Sequence, residues 1–293
     1  MGAAFRRMRF IGDGTSETDH MNFIVHSQDR EDTLAALLEA IKRLPWDIAH
    51  FSQMPESSLN TKQVLQYAAK QNWLLGMQSV PCPRRALPGN YEDLLRGLPS
   101  RLRTAIRSAR RELETKHRLE FGMCTAHEEL PEALAALYRN HTGRWQAKGA
   151  QGVFVSQPKR AFYAELSSRL LDAGALRFYY LRVDGKVVAQ QYCFAYGDTV
   201  LLLQEGFDME FSKLNVGNVL RAMVFERLIA NGVVTYDFLA GNSRHKQNWS
   251  DSAPNDLNIR ACRPSIRGRL VHYLPSWIER AKHWVAARDA SPV

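Results

Sequence analysis

Apolar positions are most densely patterned between residues 176 and 239. Two apolar runs there flank Asp184–Gly185, a dipeptide typical of a type I′ hairpin turn. A third run is apolar on both faces near its centre, which indicates a central strand. The apolar positions then recur every 3.6 residues, as in a helix, and a further strand-like apolar run follows. The pattern predicts a three-stranded meander, a helix and a further strand, at residues 176–183, 187–195, 199–206, 216–230 and 233–239.

The remainder of the chain alternates short apolar runs with segments of helical periodicity. One helix begins at Ser100, and its core-facing stripe is Leu102, Ile106, Ala109 and Leu113. A mixed α/β fold is therefore expected. Its other strands are predicted at 8–12, 22–25, 46–51, 73–80, 119–123 and 257–262, and its other helices near 30–44, 60–70, 128–141 and 159–172.

Composition is that of an ordinary globular protein of 293 residues, with 45% hydrophobic and 24% charged residues. The four cysteines are far apart and form no zinc-binding spacing, so no metal is predicted and a reducing compartment is favoured. The N-terminus lacks the apolar region of a signal peptide, and no apolar run is long enough to span a membrane. We expect a cytoplasmic location, with a peripheral position on the inner face of the membrane as an option.

The net charge of +9 is concentrated between residues 96 and 118, which contain eight Lys or Arg and two Glu. Arg103, Arg107 and Arg110 line one face of the helix that begins at Ser100. One interpretation is a solvated face, as most charge runs are. The other is an anion-binding face for ligand phosphates, acidic lipid headgroups or RNA.

A polar loop carrying Asn215 and Gly217 opens directly on the predicted helix 216–230. The first N–H groups of a helix have no intrahelical partner and readily bind phosphate. The loop is therefore a candidate site for a phosphate-bearing donor, although Gly217 could equally serve close helix–strand packing. No GxSxG, P-loop, HExxH or strand-associated GxGxxG occurs, which disfavours a hydrolase, kinase, metalloprotease or dehydrogenase.

The order helix, helix, three-stranded meander, helix and strand resembles the GNAT acyltransferase fold, and in particular its CelD-like and FemAB-like branch. The resemblance covers roughly residues 85–250 and depends on the pieces SRLRTAIRSARREL, HTGRWQAKG, FYYLRVDGKVVAQQYCFAYGDTVLLLQEGFD, NVGNVL and YDFLAGNSRHKQNW. It implies tandem GNAT-like halves. The expected domains are a degenerate half at 1–98, a basic linking helix at 99–118, an acyltransferase domain at 119–264 and a helical extension at 265–293.

The resemblance implies acetyl-CoA or another acyl-CoA as donor, with aminoacyl-tRNA as the alternative and no metal. The stretch 213–218 matches the pyrophosphate loop Q/R-x-x-G-x-G/A but keeps one glycine only. Main-chain N–H groups around Gln204 to Gly206 are implied to polarise the acyl carbonyl. The implied donor-binding residues are Gln204, Asn215, Val216, Gly217 and Asn218.

Three side chains are candidates for proton transfer. Asp237 lies in an otherwise apolar strand, where burial would raise its pKa, or it is a structural carboxylate that bonds loop amides after Leu239. Glu205 ends the third meander strand and is a second possible base. His141 is either catalytic or a satisfied core residue.

Four further residues are candidates for substrate contacts. Arg144 and Trp145 could bind an anion and form a wall for a sugar or peptide, or they could pack a helix end. Lys246, in the K-x-x-W that closes the family signature, is implied to contact a carboxylate or phosphate. Tyr192 is a possible proton donor or a packed strand residue.

Three functions remain open at this level. The first is acyl-CoA-dependent N- or O-acyl transfer to a small-molecule, glycan or peptide acceptor related to the cell envelope or to polysaccharide. The second is an aminoacyl-tRNA-dependent transferase of the FemAB kind, to which the basic segment 96–118 would offer an RNA-binding surface. The third is a non-catalytic scaffold that binds polyanions. The oligomeric state is not predicted.

Overall fold

The computed structural model describes residues 5–13, 17–147 and 149–273, and the chain divides into two compact units. The strands are β1 (Arg7–Arg9), β2 (Ile48–Pro55), β3 (Leu74–Pro81), β4 (Arg84–Ala86), β5 (Leu119–Met123), β6 (Leu176–Val183), β7 (Lys186–Tyr196), β8 (Thr199–Phe207), β9 (Thr235–Asp237) and β10 (Asn255–Cys262). The helices are α1 (Arg30–Arg43), α2 (Leu59–Lys70), α3 (Tyr91–Arg96), α4 (Ser100–Lys116), α5 (Leu130–Gln146), α6 (Gln157–Asp172), α7 (Val216–Ala230) and α8 (Arg244–Trp249). The expected mixed α/β class is confirmed.

The first unit comprises Met1–Cys82 and Pro254–Val293. Its sheet has the order β1–β2–β10–β3, with β1 parallel to β2 and β10 antiparallel to both neighbours. The apolar stripes of α1 and α2 pack on one core with β2 and β10. The strand expected at 22–25 does not form, because the carbonyl of Phe23 and the side chain of Asn22 bond instead to Asn60 at the start of α2.

The second unit is Pro83–Ala253, and its sheet has the order β4–β9–β8–β7–β6–β5. Side chains of α4 and α7 form the core on one face, and those of α5 and α6 form the core on the other. Asp184 and Gly185 both have positive φ (51° and 81°), as the predicted type I′ turn requires. The predicted bounds of α7 and β6 are those observed.

The unit boundaries differ from the domain bounds expected at residues 98 and 264. β10, assigned from the sequence to the acyltransferase domain, pairs with β2 and β3 in the sheet of the first unit. A strand's partners are long-range contacts that its own periodicity does not encode. Most of the helical extension expected at 265–293 lies outside the described residues, and residues 266–273 are helical.

The strands β8 and β9 separate after a short parallel pairing. Residues Thr199 to Leu201 of β8 pair with Thr235 to Asp237 of β9, where β9 ends, whereas β8 continues to Phe207. Beyond Leu201, this edge of β8 pairs with no strand in the described part of the chain. A gap therefore opens in the sheet beside the second half of β8.

Candidate functional site

The N-terminus of α7 lies at this gap. Its N-cap residue, Asn215, adopts a left-handed conformation (φ 54°) and makes no side-chain capping bond. Its Oδ1 instead accepts a hydrogen bond from Nδ2 of Asn218 at 2.8 Å. The N–H of Asn218 donates to the main-chain carbonyl of Asn215 at 3.0 Å. The preceding amides of Val216 and Gly217 have no side-chain cap, and with the positive end of the helix dipole they form an anion-binding arrangement.

A cavity of about 160 Å³ adjoins this helix end. Residues 215–218 of the predicted donor-binding set line it, and Gly217 leaves room, since an added Cβ would meet only the ring of Phe207, at 3.6 Å from its nearest atom. Two buried donors in its wall, Nε2 of Gln190 and Nε of Arg221, have no hydrogen-bond partner among the described residues. The predicted loop residues in the lining are Asn215, Val216, Gly217 and Asn218.

A second cavity, of about 320 Å³, is also lined by Glu205. Three residues, Arg144, Glu205 and His245, line both cavities. Adjoining cavities with common walls can hold two reactants next to each other, which a group-transfer reaction requires. Further lining comes from the predicted residues His141, Trp145, Gln204 and Lys246.

Glu205 is the centre of the shared wall. Its carboxylate accepts from Arg144 Nη1 at 3.0 Å, from His245 Nε2 at 2.9 Å and from Arg221 Nη2. Burial acts to raise the pKa of Glu205, but these cations, Arg221 above all, hold it well below its ordinary value of 4.5. Such a carboxylate stays ionised at neutral pH, so its environment does not support the role of general base expected from the sequence.

Close packing brings the two arginines to Glu205 from opposite faces of the sheet. An added Cβ on Gly206 would lie 2.9 Å from the main-chain nitrogen of His141, so only glycine lets α5 approach β8 this closely. Arg221, 2% exposed, lies over the rings of Phe238 and Trp249 at 5.2 and 5.7 Å. These contacts hold both guanidinium groups in place.

Asp237, the other predicted carboxylate, lines neither cavity. It is 1% exposed, accepts from Arg84 Nε at 2.5 Å, and accepts from the N–H of Leu239 at 2.7 Å. Leu239 has a positive φ of 57°, so this bond fixes a strained turn where β9 ends. This geometry favours the second interpretation of Asp237, a structural carboxylate that accepts from a loop amide.

His141 and Tyr192 are both buried. Burial, together with the Arg144 charge, lowers the pKa of His141 to about 4, while Glu205 opposes the shift. Nε2 of His141 accepts from Trp145 Nε1 at 2.9 Å, so the ring is neutral and that nitrogen is occupied. Tyr192 lies in the core on the α6 side, bonded to Ser167 at 3.0 Å, and burial raises its pKa to about 12. It lines neither cavity.

Lys246 and Trp145 lie at the rim of the larger cavity. Nζ of Lys246 donates to the carbonyls of Leu239 and Ala240 at 3.2 and 2.7 Å, which ties α8 to the loop that follows β9. Trp145 is 41% exposed, so part of its ring is available as a wall.

The predicted anion-binding arginines of α4 engage partners within the second unit. Arg103 donates to the carbonyls of Leu95 and Arg96, and Arg107 pairs with Glu92 at 3.1 Å. Arg110 pairs with Glu114 at 2.9 Å and with Glu226 at 2.8 Å. These contacts offset much of the positive charge of this helix face and favour a packed, solvated surface.

His245 is the site residue that sequence reasoning missed. It lies on α8, where the sequence pattern predicted no helix, and its Nδ1 is 3.0 Å from Ser243 Oγ. The helix is held by Trp249, which is fully buried and donates to Asn218 Oδ1 at 2.9 Å. The one available signal was the position of His245 beside Lys246 in the closing family signature.

Among the helices of residues 5–13, 17–147 and 149–273, none has the combined length and hydropathy needed to cross a membrane.

A search of curated proteins returned no significant match. Solved structures, by contrast, are similar in fold. FemX aligns with a TM-score of 0.60 at 10% identity, over 82% of this chain and 79% of FemX.

Two further structures have related folds. The C-terminal domain (DUF2156) of a putative lysylphosphatidylglycerol synthetase from Agrobacterium fabrum aligns with a TM-score of 0.53 at 13% identity, over 84% of this chain and 77% of that domain. L-PGS from Bacillus licheniformis has a TM-score of 0.53 at 11% identity, over 85% and 79% of the two chains. Residues 100–247, just over half of the 293 residues, match the family described as acetyltransferase (GNAT) domain. The chain belongs to the GNAT acetyltransferase domain family.

Proposed function

We propose that this GNAT-family protein transfers an acyl group from acyl-CoA to an amine or hydroxyl of a glycan, peptide or other small acceptor related to the cell envelope. The observation that carries the proposal is the pair of cavities that share Arg144, Glu205 and His245. The smaller would take the donor and the larger the acceptor. The CelD-like assignment and the choice of acceptor are part of this proposal.

The donor side is supported by the N-terminus of α7, which has no side-chain cap. The amides there would bind donor phosphate, as Gly217 permits close approach of a ligand to the backbone. The edge of β8 that faces the gap carries main-chain groups from Gln204 to Gly206. One of these N–H groups would donate to the acyl oxygen as negative charge develops on it.

His245 is proposed as the proton acceptor. With Nε2–H donated to Glu205, its Nδ1 is the basic nitrogen, and Ser243 Oγ lies beside it in the wall of the larger cavity. Nδ1 would take the proton of the acceptor while the new C–N or C–O bond forms. The C–S bond then breaks, and the leaving thiolate takes the proton back. The Glu205 carboxylate stabilises the imidazolium in between.

An aminoacyl-tRNA is the alternative donor, supported by the likeness in fold to FemX and L-PGS. It is less favoured because the arginines of α4 that could bind RNA are paired within the protein. Either donor would place the protein in the cytoplasm, with the inner face of the membrane as a possible location.

Binding of acetyl-CoA, longer acyl-CoAs and a charged tRNA should be measured by isothermal titration calorimetry and thermal shift. Gly217→Glu is the informative variant, because a carboxylate in the first turn stabilises the helix but repels a phosphate. Saturable binding of acyl-CoA that Gly217→Glu abolishes and Gly217→Ala keeps would support the proposal. Binding of tRNA alone, falling steeply with salt, would favour the alternative donor. No response to any donor would favour the non-catalytic scaffold.

A further inference from the structure

A second cluster of chemically reactive side chains lies in the first unit. A ring nitrogen of His20, Sγ of Cys82 and a carboxylate oxygen of Asp256 all lie within 4.8 Å of one another. His20 comes from the segment before α1, Cys82 follows β3, and Asp256 lies in β10. Three segments far apart in the sequence therefore bring a nitrogen, a sulfur and an oxygen to one place.

The cluster is buried. Cys82 is fully buried and Asp256 is 2% exposed, whereas the side chain of His20 retains 17% exposure. Asp256 accepts from the main-chain N–H of His20 at 3.1 Å and lies 2.8 Å from its Nδ1. The first of these bonds holds His20 in a left-handed conformation, with φ of 53°. The fold thus keeps the imidazole beside the carboxylate at some conformational cost.

The charge balance distinguishes Asp256 from the other buried aspartates of the described residues, Asp47 and Asp237. Asp47 has Arg6 and Arg267 beside it, and Asp237 has Arg84. Within the described residues, neither arginine nor lysine pairs with Asp256, whose only ionisable partner in a salt bridge is His20. A buried carboxylate is costly without a compensating cation. A bound metal ion would supply that positive charge.

We propose that His20, Cys82 and Asp256 bind a zinc-like transition-metal ion. Imidazole, thiolate and carboxylate are the ligand types of Zn²⁺, whereas Mg²⁺ and Ca²⁺ take oxygen ligands. Metal–ligand distances of about 2.0–2.3 Å require only small adjustments of three atoms already this close. With three protein ligands, a water molecule would complete the four-coordinate shell that Zn²⁺ prefers. Short-range cysteine spacing could not reveal this site, because its ligands are distant in sequence.

The role that follows is structural and independent of acyl transfer. The ion would join the segment of His20 to the end of β3 and to β10. Because such a site exists only in the folded chain, metal binding adds to the free energy of unfolding. Zinc should therefore raise the melting temperature of the full chain in a concentration-dependent way.

Cobalt titration of the purified full-length chain tests the ligand set. One equivalent of Co²⁺ should produce a thiolate-to-cobalt charge-transfer band in the wild type. Cys262→Ser is the matched control, since Cys262 is also fully buried in the first unit but lies outside the cluster, and it should keep the band. Cys82→Ser should lose it. Absence of the band in folded wild-type protein, or its persistence in Cys82→Ser, would overturn the proposal.

His20→Gln covers the case in which Cys82→Ser fails to fold, because His20 is partly exposed and outside the core. Its zinc affinity should fall by more than the roughly 10–100-fold that loss of a mere supporting contact costs. The zinc-dependent rise in melting temperature should fall with it, as measured by thermal shift against zinc concentration. An unchanged rise in His20→Gln would show that zinc binds elsewhere and would contradict the site.

Discussion

Two carboxylates on adjacent strands, Glu205 on β8 and Asp237 on β9, have similar sequence settings and different surroundings. Asp237 pairs with one arginine and one turn amide and lines neither cavity. Glu205 contacts two arginines and a histidine and lines both cavities. A position in an apolar strand therefore does not by itself distinguish a carboxylate that holds the fold from one that belongs to a site.

The strand pairing explains the difference. Asp237 lies where β8 and β9 still pair, opposite Leu201, so its side chain is enclosed between neighbouring strands and the following turn. Glu205 lies beyond that pairing and faces the gap. Side chains from α5, α7 and α8 can therefore reach it. Whether a carboxylate lies before or after the point where β8 and β9 stop pairing decides which side chains can reach it. That point is set by the tertiary structure.

The largest expected effect is on catalysis and comes from His245→Gln. Loss of the proposed proton acceptor should lower kcat by about 10²–10⁴-fold while donor affinity is kept, since general-base catalysis has that magnitude. Steady-state kinetics and calorimetry would separate the two quantities. His127→Gln is the control, because that exposed histidine pairs with Asp172 and lines neither site cavity. An unchanged kcat in His245→Gln would remove His245 from the mechanism.

Glu205→Gln should reduce the free energy of unfolding by about 3–5 kcal/mol, because it leaves buried guanidinium charge without its partner. Urea denaturation at neutral pH measures the loss. The folded-state pKa is depressed, so the contribution of Glu205 is present above its ordinary value of 4.5 and disappears as pH falls further. The difference in the free energy of unfolding between wild type and variant should therefore disappear in acid. A difference in the free energy of unfolding that does not change with pH would contradict the ion-pair interpretation.

The pH dependence of the free energy of unfolding tests the surroundings of His141, a residue near Glu205. The His141 pKa is about 4 in the fold and 6.5 ordinarily, so between these values the unfolded chain binds the extra proton. Acidification from pH 6.5 to 4 should therefore cost about 3 kcal/mol through this group. The His141→Gln variant should lack this loss of stability on acidification. Urea denaturation at several pH values measures it. Equal pH dependence in both proteins would mean that His141 is solvated.

Local patterns predicted much of the second unit. The bounds of α7 and the turn at Asp184 follow from periodicity and turn chemistry, which depend on neighbouring residues only. The same reasoning could not reveal α8, a short polar helix whose buried side chain is Trp249 and whose Lys246 bonds the preceding loop. Since His245 lies on that helix, the proposed base was missed as well.

The partners of Glu205 were beyond the sequence for a related reason. Its cations come from three helices, and the close approach of α5 depends on the absence of a side chain at Gly206. A glycine inside an apolar strand gives no local indication of which helix lies against it. Likewise, the partner strands of β10 could not be read from its own alternation.

The smallest expected effect is that of Asp237→Asn. Asparagine can still accept from the N–H of Leu239, and Arg84 retains 37% side-chain exposure, so the loss of stability should be about 1–3 kcal/mol. Acyl transfer per folded molecule should stay at the wild-type level, because Asp237 lines neither cavity. Urea denaturation gives the first quantity, and kinetics corrected for the folded fraction gives the second. Loss of kcat in a folded Asp237→Asn protein, with Glu205→Gln still active, would reverse the roles assigned to the two carboxylates.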